Sequence, residues 1–206
     1  MDRRHFIGTA GATLGTALVS GLIPGAASAA RLQTVRVDRQ PAVPLVQPEW
    51  PVPEDPNQMF FLQRSTNENT IVFAARYDAA GTLTYPDAVD IYWRRYASGG
   101  ERKPLKPIER LLAFGVNISR REVAGQYNVA LKPLPQLPLV LLQTAPFRAQ
   151  VLGRIGDQTA RIVYAYAHVD ESGLLPRVTQ LSIHGVLPDG AGAISEYYAV
   201  SGGEFQ

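Results

Sequence analysis

The 206-residue chain contains no cysteine, and that absence closes several routes at once. Disulfide staples, a thiolate nucleophile, cysteine-bound zinc, iron–sulfur clusters and a lipidated cysteine anchor are all excluded. Histidine is scarce, with only His5, His168 and His184. Charge of one sign is missing as well: the formal net charge is +2 and falls to about +1 once Asp2, Arg3 and Arg4 leave with a leader. Phosphate backbones require clustered Lys and Arg, so nucleic acid is not an expected partner. No stretch of about 20 strongly apolar residues is present, so no stable membrane anchor is expected after the leader is cleaved. G-x-S-x-G, H-E-x-x-H and phosphate-cradling glycine loops are absent too. No metal or cofactor is expected. What remains is 46% hydrophobic, enough for one domain of ordinary size to bury a core.

The N-terminus carries an address. "DRRHFIG", Asp2 to Gly8, resembles the twin-arginine export motif: Arg3 and Arg4 adjacent, one variable residue, Phe6, then aliphatic Ile7, with Gly8 departing from the lysine often found there. A weakly apolar stretch from Ile7 to Ile23 follows, and "ASAA" at Ala27 to Ala30 supplies small residues for cleavage. The resemblance implies residues 1–29 as signal peptide, the export machinery as partner, and a periplasmic or secreted mature protein.

Residues 30–57 are rich in proline, with Pro41, Pro44, Pro48, Pro51, Pro53 and Pro56. Proline fixes φ and pushes its predecessor to extended geometry, so an extended arm is expected, either a tether or a strap laid across the domain by Trp50 and Val52. From residue 58 to 206 the hydrophobic period is two. Ile71, Phe73 and Ala75 alternate with Val72, Ala74 and Arg76; Phe147, Ala149 and Val151 alternate with Arg148, Gln150 and Leu152. Ala160, Ile162, Tyr164 and Tyr166 repeat the pattern, as do Leu181 and Ile183, with Gly, Asp and Pro turns between. The expected fold is mainly β, an antiparallel meander forming a small barrel or sandwich. "KPIERLLAFG" breaks the period: Ile108, Leu111 and Leu112 fall at i, i+3 and i+4, Pro107 suits a first turn and Gly115 a stop, predicting one short amphipathic helix against the sheet.

Three blocks, "FFLQRSTNENTIVFAARYDAAGTL", "DAVDIYWRRYASGGERKPLKPIERLLAFGV" and "HVDESGLLPRVTQLSIHGV", together resemble the bacterial family called domain of unknown function 4833, over about Phe60 to Val200. Arg64, Asn67 and Asn69 match a recurrent Arg and Asn pair, Trp93 and Tyr96 an aromatic strand motif, Glu109 and Gly115 a helix block. The resemblance implies relatives and no reaction.

Candidate chemistry concentrates in "VDIYWRRY". As a strand it places Asp90, Tyr92, Arg94 and Tyr96 on one face and Ile91, Trp93 and Arg95 on the other, with Trp93 in the core. The first face is either solvated, with Asp90 and Arg94 ion-paired, or a pocket wall where Tyr92 stacks and Arg94 fixes an anionic group, joined by Arg64, Asp90 and Glu109. "QRSTNENT" reads as a hairpin loop or as a ligand loop. His168 and His184 are expected on hairpin-paired strands, His184 opposite residue 162 or 163, too far apart to share an ion. The leading expectation is a periplasmic module binding a small polar or anionic ligand. The alternatives are a cofactor-free hydrolase using Asp90, Glu109, Asp170 or His168, and a structural partner bound through an open sheet edge.

Overall fold

The computed structural model describes residues 30–40, 50–173 and 177–201. The expected signal peptide, 1–29, and the proline-rich stretch 41–49 lie outside the described residues. Twelve strands form one curled sheet: β1 Arg31–Gln40, β2 Gln58–Arg64, β3 Asn67–Ala75, β4 Val89–Arg95, β5 Glu101–Pro104, β6 Val116–Arg120, β7 Gln126–Leu131, β8 Leu134–Ala145, β9 Arg148–Ile155, β10 Gln158–Asp170, β11 Arg177–Val186 and β12 Ala193–Ser201. Among the described residues one α-helix, α1 Pro107–Leu112, follows β5. The mainly β class is thus the one the alternation predicts.

The shape follows from β10. One of its edges carries β11, from Arg161↔Val186 to Asp170↔Arg177. The other edge is shared: Gln158 to Arg161 pair with β9, whereas Tyr164 to Ala167 pair with β2. The sheet therefore forks at residues 162–163. One wing runs β2–β3–β4–β5, the other β9–β8–β7–β6, and β11–β12–β1 continues on the far side. A pure meander does not anticipate the β2–β10 pair, which is parallel. Its strands are joined only through everything from β3 to β9, and such a non-local pairing leaves no trace in a local hydrophobic period.

Facing surfaces of the wings make the core. Phe60 stacks on Phe73 at 4.3 Å, and Ile71, Ile91 and Trp93 from one wing join Val129, Leu139, Leu141 and Val151 from the other, all buried. Each such side chain contributes about 1.5–3 kcal/mol of burial free energy. Val72 and Ala74, on the other side of the alternation, are buried too, because residues 50–57 cross that face of β2, β3 and β4. Trp50 packs on Phe61, Tyr164 and Tyr166 and donates its indole N–H to the Arg64 carbonyl at 2.8 Å. Buried Gln63 clamps the strap: its Nε2 donates to the carbonyls of Trp50 and Pro51 at 3.0 and 3.2 Å, and its Oε1 accepts the Trp50 amide at 3.3 Å. Val52 remains exposed.

The first part of the expected arm, Arg31–Gln40, is extended, and its partner is β12. Buried Glu196 fastens it there, accepting Thr34 Oγ1–H and the Gly156 amide, both at 2.6 Å. Helix α1 starts at Pro107, and Glu109 reaches back to accept the Lys106 amide at 2.8 Å. Gly115 follows because a Cβ there would sit 1.8 Å from the Arg110 carbonyl oxygen. The expected apolar stripe is not against the sheet, since Ile108 and Leu111 are exposed. The helix reaches the sheet through Glu109, which accepts the Trp93 indole N–H at 3.2 Å, and through Arg110, whose guanidinium donates to the Ile91 carbonyl at 3.4 Å.

Candidate functional site

β4 divides its side chains between two faces as the alternation predicts, and both faces are already engaged. On the outer face Tyr92 is 1% exposed, and its hydroxyl donates to Asp55 Oδ2 at 2.6 Å. The Arg102 guanidinium lies 3.9 Å above its ring. Burial, reinforced by the bond to Asp55, pushes the Tyr92 hydroxyl far above the usual phenol range. Arg94 donates to the carbonyls of Gly100 and Glu54, each at 3.3 Å. The expected Asp90 to Arg94 ion pair is not formed. Cross-strand geometry favours other cations for Asp90, which binds Arg76 at 3.2 Å and also Arg102. Asp55 and Glu54 belong to the strap, so this face holds the chain's own residues 50–57.

The inner face gathers Arg64, Arg95, Trp93 and Glu109. Trp93 is 3% exposed, donates Nε1–H to Glu109 Oε2 at 3.2 Å and meets the ring of Phe114 edge-on. The guanidiniums of Arg64 and Arg95 lie 4.8 and 4.6 Å from the same indole. Burial lowers the Arg64 pKa, Arg95 lowers it further, and Glu171 and Glu109 oppose the shift. Arg64 Nη2 donates to Asn67 Oδ1 at 3.4 Å, which ties the "QRSTNENT" turn to its strand. The five residues of the sequence-derived site thus fall into two groups on opposite faces: Asp90, Tyr92 and Arg94 under the strap, Arg64 and Glu109 around Trp93.

The acid–base candidates do not converge. Asp90 and Glu109 are on those opposite faces, and Asp170 pairs with Arg177 at 3.6 Å at the end of β10. His184 sits opposite Tyr164, not residue 162 or 163, because a bulge between Ile162 and Tyr164 shifts the register. It is 1% exposed, stacked 4.2 Å from Tyr164, with Nδ1 2.7 Å from Ser195 Oγ and Nε2 2.9 Å from Ser182 Oγ. Burial lowers its pKa to about 4, so it is neutral at pH 7. A histidine sealed between two serines has no route to a substrate. His168 is exposed and meets the edge of Tyr166. Among the described residues no group of His, Asp and Glu is arranged to hold a metal.

An open cleft lies where the sheet forks. Its cavity is about 300 Å³, at the lower end for small-ligand sites. Pro56 to Met59 lead into β2 on one side, Thr144 and the β8–β9 turn with Gln150 form the other, Tyr77 caps one end, and Arg161 rises from β10. The fork explains the space, because β9 and β2 pair with successive parts of one edge of β10 and not with each other. The rim is held rigidly. Phe147, at the left-handed φ of 56°, donates its amide to the Gly81 carbonyl at 3.0 Å and meets Tyr77 edge-on at 5.7 Å. Gln143 Nε2 donates to that same carbonyl at 2.7 Å, while its Oε1 accepts the Leu83 amide at 3.0 Å. Gly81, at φ 79°, is required here: a Cβ would lie 2.7 Å from the Phe147 ring.

Four polar side chains around the cleft are uncommitted. Gln63 and Gln143 each hold several backbone groups, but the carboxamides of Gln58 and Gln150 make no hydrogen bond within the described residues, and Gln58 Oε1 is buried without a partner. Arg148 and Arg161 form neither a side-chain hydrogen bond nor an ion pair there, and no carboxylate lines the cavity. Sequence reading missed this group. Its members come from three separate strands, β2, β9 and β10, and the one local signal is "APFR", an aromatic and a cation at a tight turn.

A forked β domain with a preformed polar cleft is the class that fold and site define. The chain belongs to the family described as Domain of unknown function (DUF4833), whose model matches residues 60–196. That span holds both wings of the sheet and every cleft residue except Pro56 to Met59. No curated protein and no solved structure matches the chain.

Proposed function

We propose that the protein is an exported periplasmic module that holds a small polar ligand in the cleft at the fork of the sheet. The observation that carries this reading is the set of four uncommitted polar side chains, Gln58, Arg148, Gln150 and Arg161, around one rigid-rimmed cavity of about 300 Å³. Tyr77 and Phe147 supply the apolar wall that small-molecule sites use for most of their contact. The leader supports export. Replacing Arg3 and Arg4 by lysine keeps the charge and removes the planar forks a receptor reads, so the precursor is expected to accumulate in the cytoplasm on cell fractionation, and undiminished periplasmic product contradicts the twin-arginine route.

Binding is tested by thermal shift of the mature protein against a panel of sugars, organic acids and amino acids. A specific ligand at a hundred times its Kd stabilises the fold by about 2.7 kcal/mol. Gln150→Trp, which fills the cleft from an outer strand face, is expected to abolish the shift while circular dichroism stays that of the wild type. Thr144→Trp gives the same block from an exposed position. A shift that survives both substitutions places the ligand elsewhere.

A further inference from the structure

The composition of the cleft goes further than its existence. It presents two kinds of uncommitted group. Arg148 and Arg161 are exposed cationic donors on the cleft, with no carboxylate among the lining residues, so they favour negative charge, and the planar fork of a guanidinium matches a carboxylate. Gln58 and Gln150 carry carboxamides that both donate and accept. This is the group suited to hydroxyls, which also do both. A simple anion leaves the carboxamides of Gln58 and Gln150 unused. Beside them Tyr77 and Phe147 stand edge-to-face at the rim, offering ring surface to the C–H face of a compact molecule. A cavity of about 300 Å³ admits one monosaccharide-sized ring.

We infer that the ligand is an acidic monosaccharide, its carboxylate held by Arg148 and Arg161 and its ring hydroxyls by Gln58 and Gln150. This rests on the cleft being the binding site, as proposed above. Neutral sugars satisfy the carboxamides and leave both cations idle; small unhydroxylated acids do the reverse.

The experiment is isothermal titration and thermal shift of the mature protein with galacturonate, galactose and propionate, in 20 mM and 300 mM sodium chloride. Galacturonate is expected to bind at least tenfold more tightly than either comparator, with affinity falling as salt rises. Arg148→Gln and Arg161→Gln are each expected to weaken galacturonate about tenfold and leave galactose unchanged, whereas Arg161→Lys retains part of the affinity. Gln58→Leu is expected to weaken galacturonate and galactose alike. Equal binding of galactose and galacturonate, or salt-independent binding untouched by the arginine substitutions, overturns the acidic class while leaving the cleft as the site. Equal binding of propionate and galacturonate overturns the sugar. If no sugar acid shifts the protein and another compound of the panel does so through the cleft, the inference falls and the binding reading stands. If Gln150→Trp leaves galacturonate binding intact, both fall.

Discussion

Trp93→Ala is expected to lower the unfolding free energy by about 3–5 kcal/mol, a large share of the stability of an ordinary domain. The indole is 3% exposed at the centre of the first wing, so truncation leaves a cavity between β4 and Phe114 that the curled sheet closes only in part. Further losses add to this. Glu109 loses the N–H it accepts at 3.2 Å, and the guanidiniums of Arg64 and Arg95 lose the ring that offsets their burial. Arg94→Ala on the opposite face removes two bonds of 3.3 Å to backbone carbonyls at a partly open position and is expected to cost about 1 kcal/mol. Urea denaturation of the two variants measures the contrast, and equal losses contradict the assignment of faces.

Acid is expected to destabilise the protein through His184. Burial between Tyr164, Ser182 and Ser195 lowers its pKa from 6.5 to about 4, so the folded state keeps the ring neutral where the unfolded chain already protonates it. Above pH 6.5 both states are neutral and the contribution is intact. As pH falls from 6.5 towards 4 the unfolded state takes up the proton first, and stability drops by up to roughly 3 kcal/mol. His184→Gln removes the titrating group while keeping a hydrogen-bonding side chain. Denaturation midpoints at pH 7.5, 5.5 and 4.5 are expected to fall more steeply for the wild type than for His184→Gln, and parallel slopes remove His184 from the account.

What the sequence made legible is what local periodicity can carry. The alternation of Ile71, Phe73 and Ala75 located β3, and "VDIYWRRY" separated Trp93 from Tyr92 correctly, because side chains in a strand alternate whatever the strand packs against. Burial of the second face was not legible. The Tyr92 face was read as solvated or as a pocket wall, and Tyr92 with Val72 and Ala74 is instead covered by residues 50–57. The forked edge of β10 is non-local, and the cleft follows from it. The sequence did not single out Arg148 and Arg161, and only the fork of the sheet brings them to one cleft with Gln58. The helix reading placed α1 and its start at Pro107 correctly, but Ile108 and Leu111 of the stripe expected against the sheet are exposed.

The central claim is that this fold keeps its ligand site at the fork, away from the Tyr92 face and the Trp93 cluster. It is tested most directly by titrating the compound giving the largest thermal shift into isotopically labelled mature protein and following the backbone amide resonances. Perturbations are expected to concentrate at Gln58, Met59, Tyr77, the Phe147 to Gln150 turn and Arg161. Perturbations concentrated instead at Tyr92 and Arg94, or at Arg64 and Glu109, would contradict it.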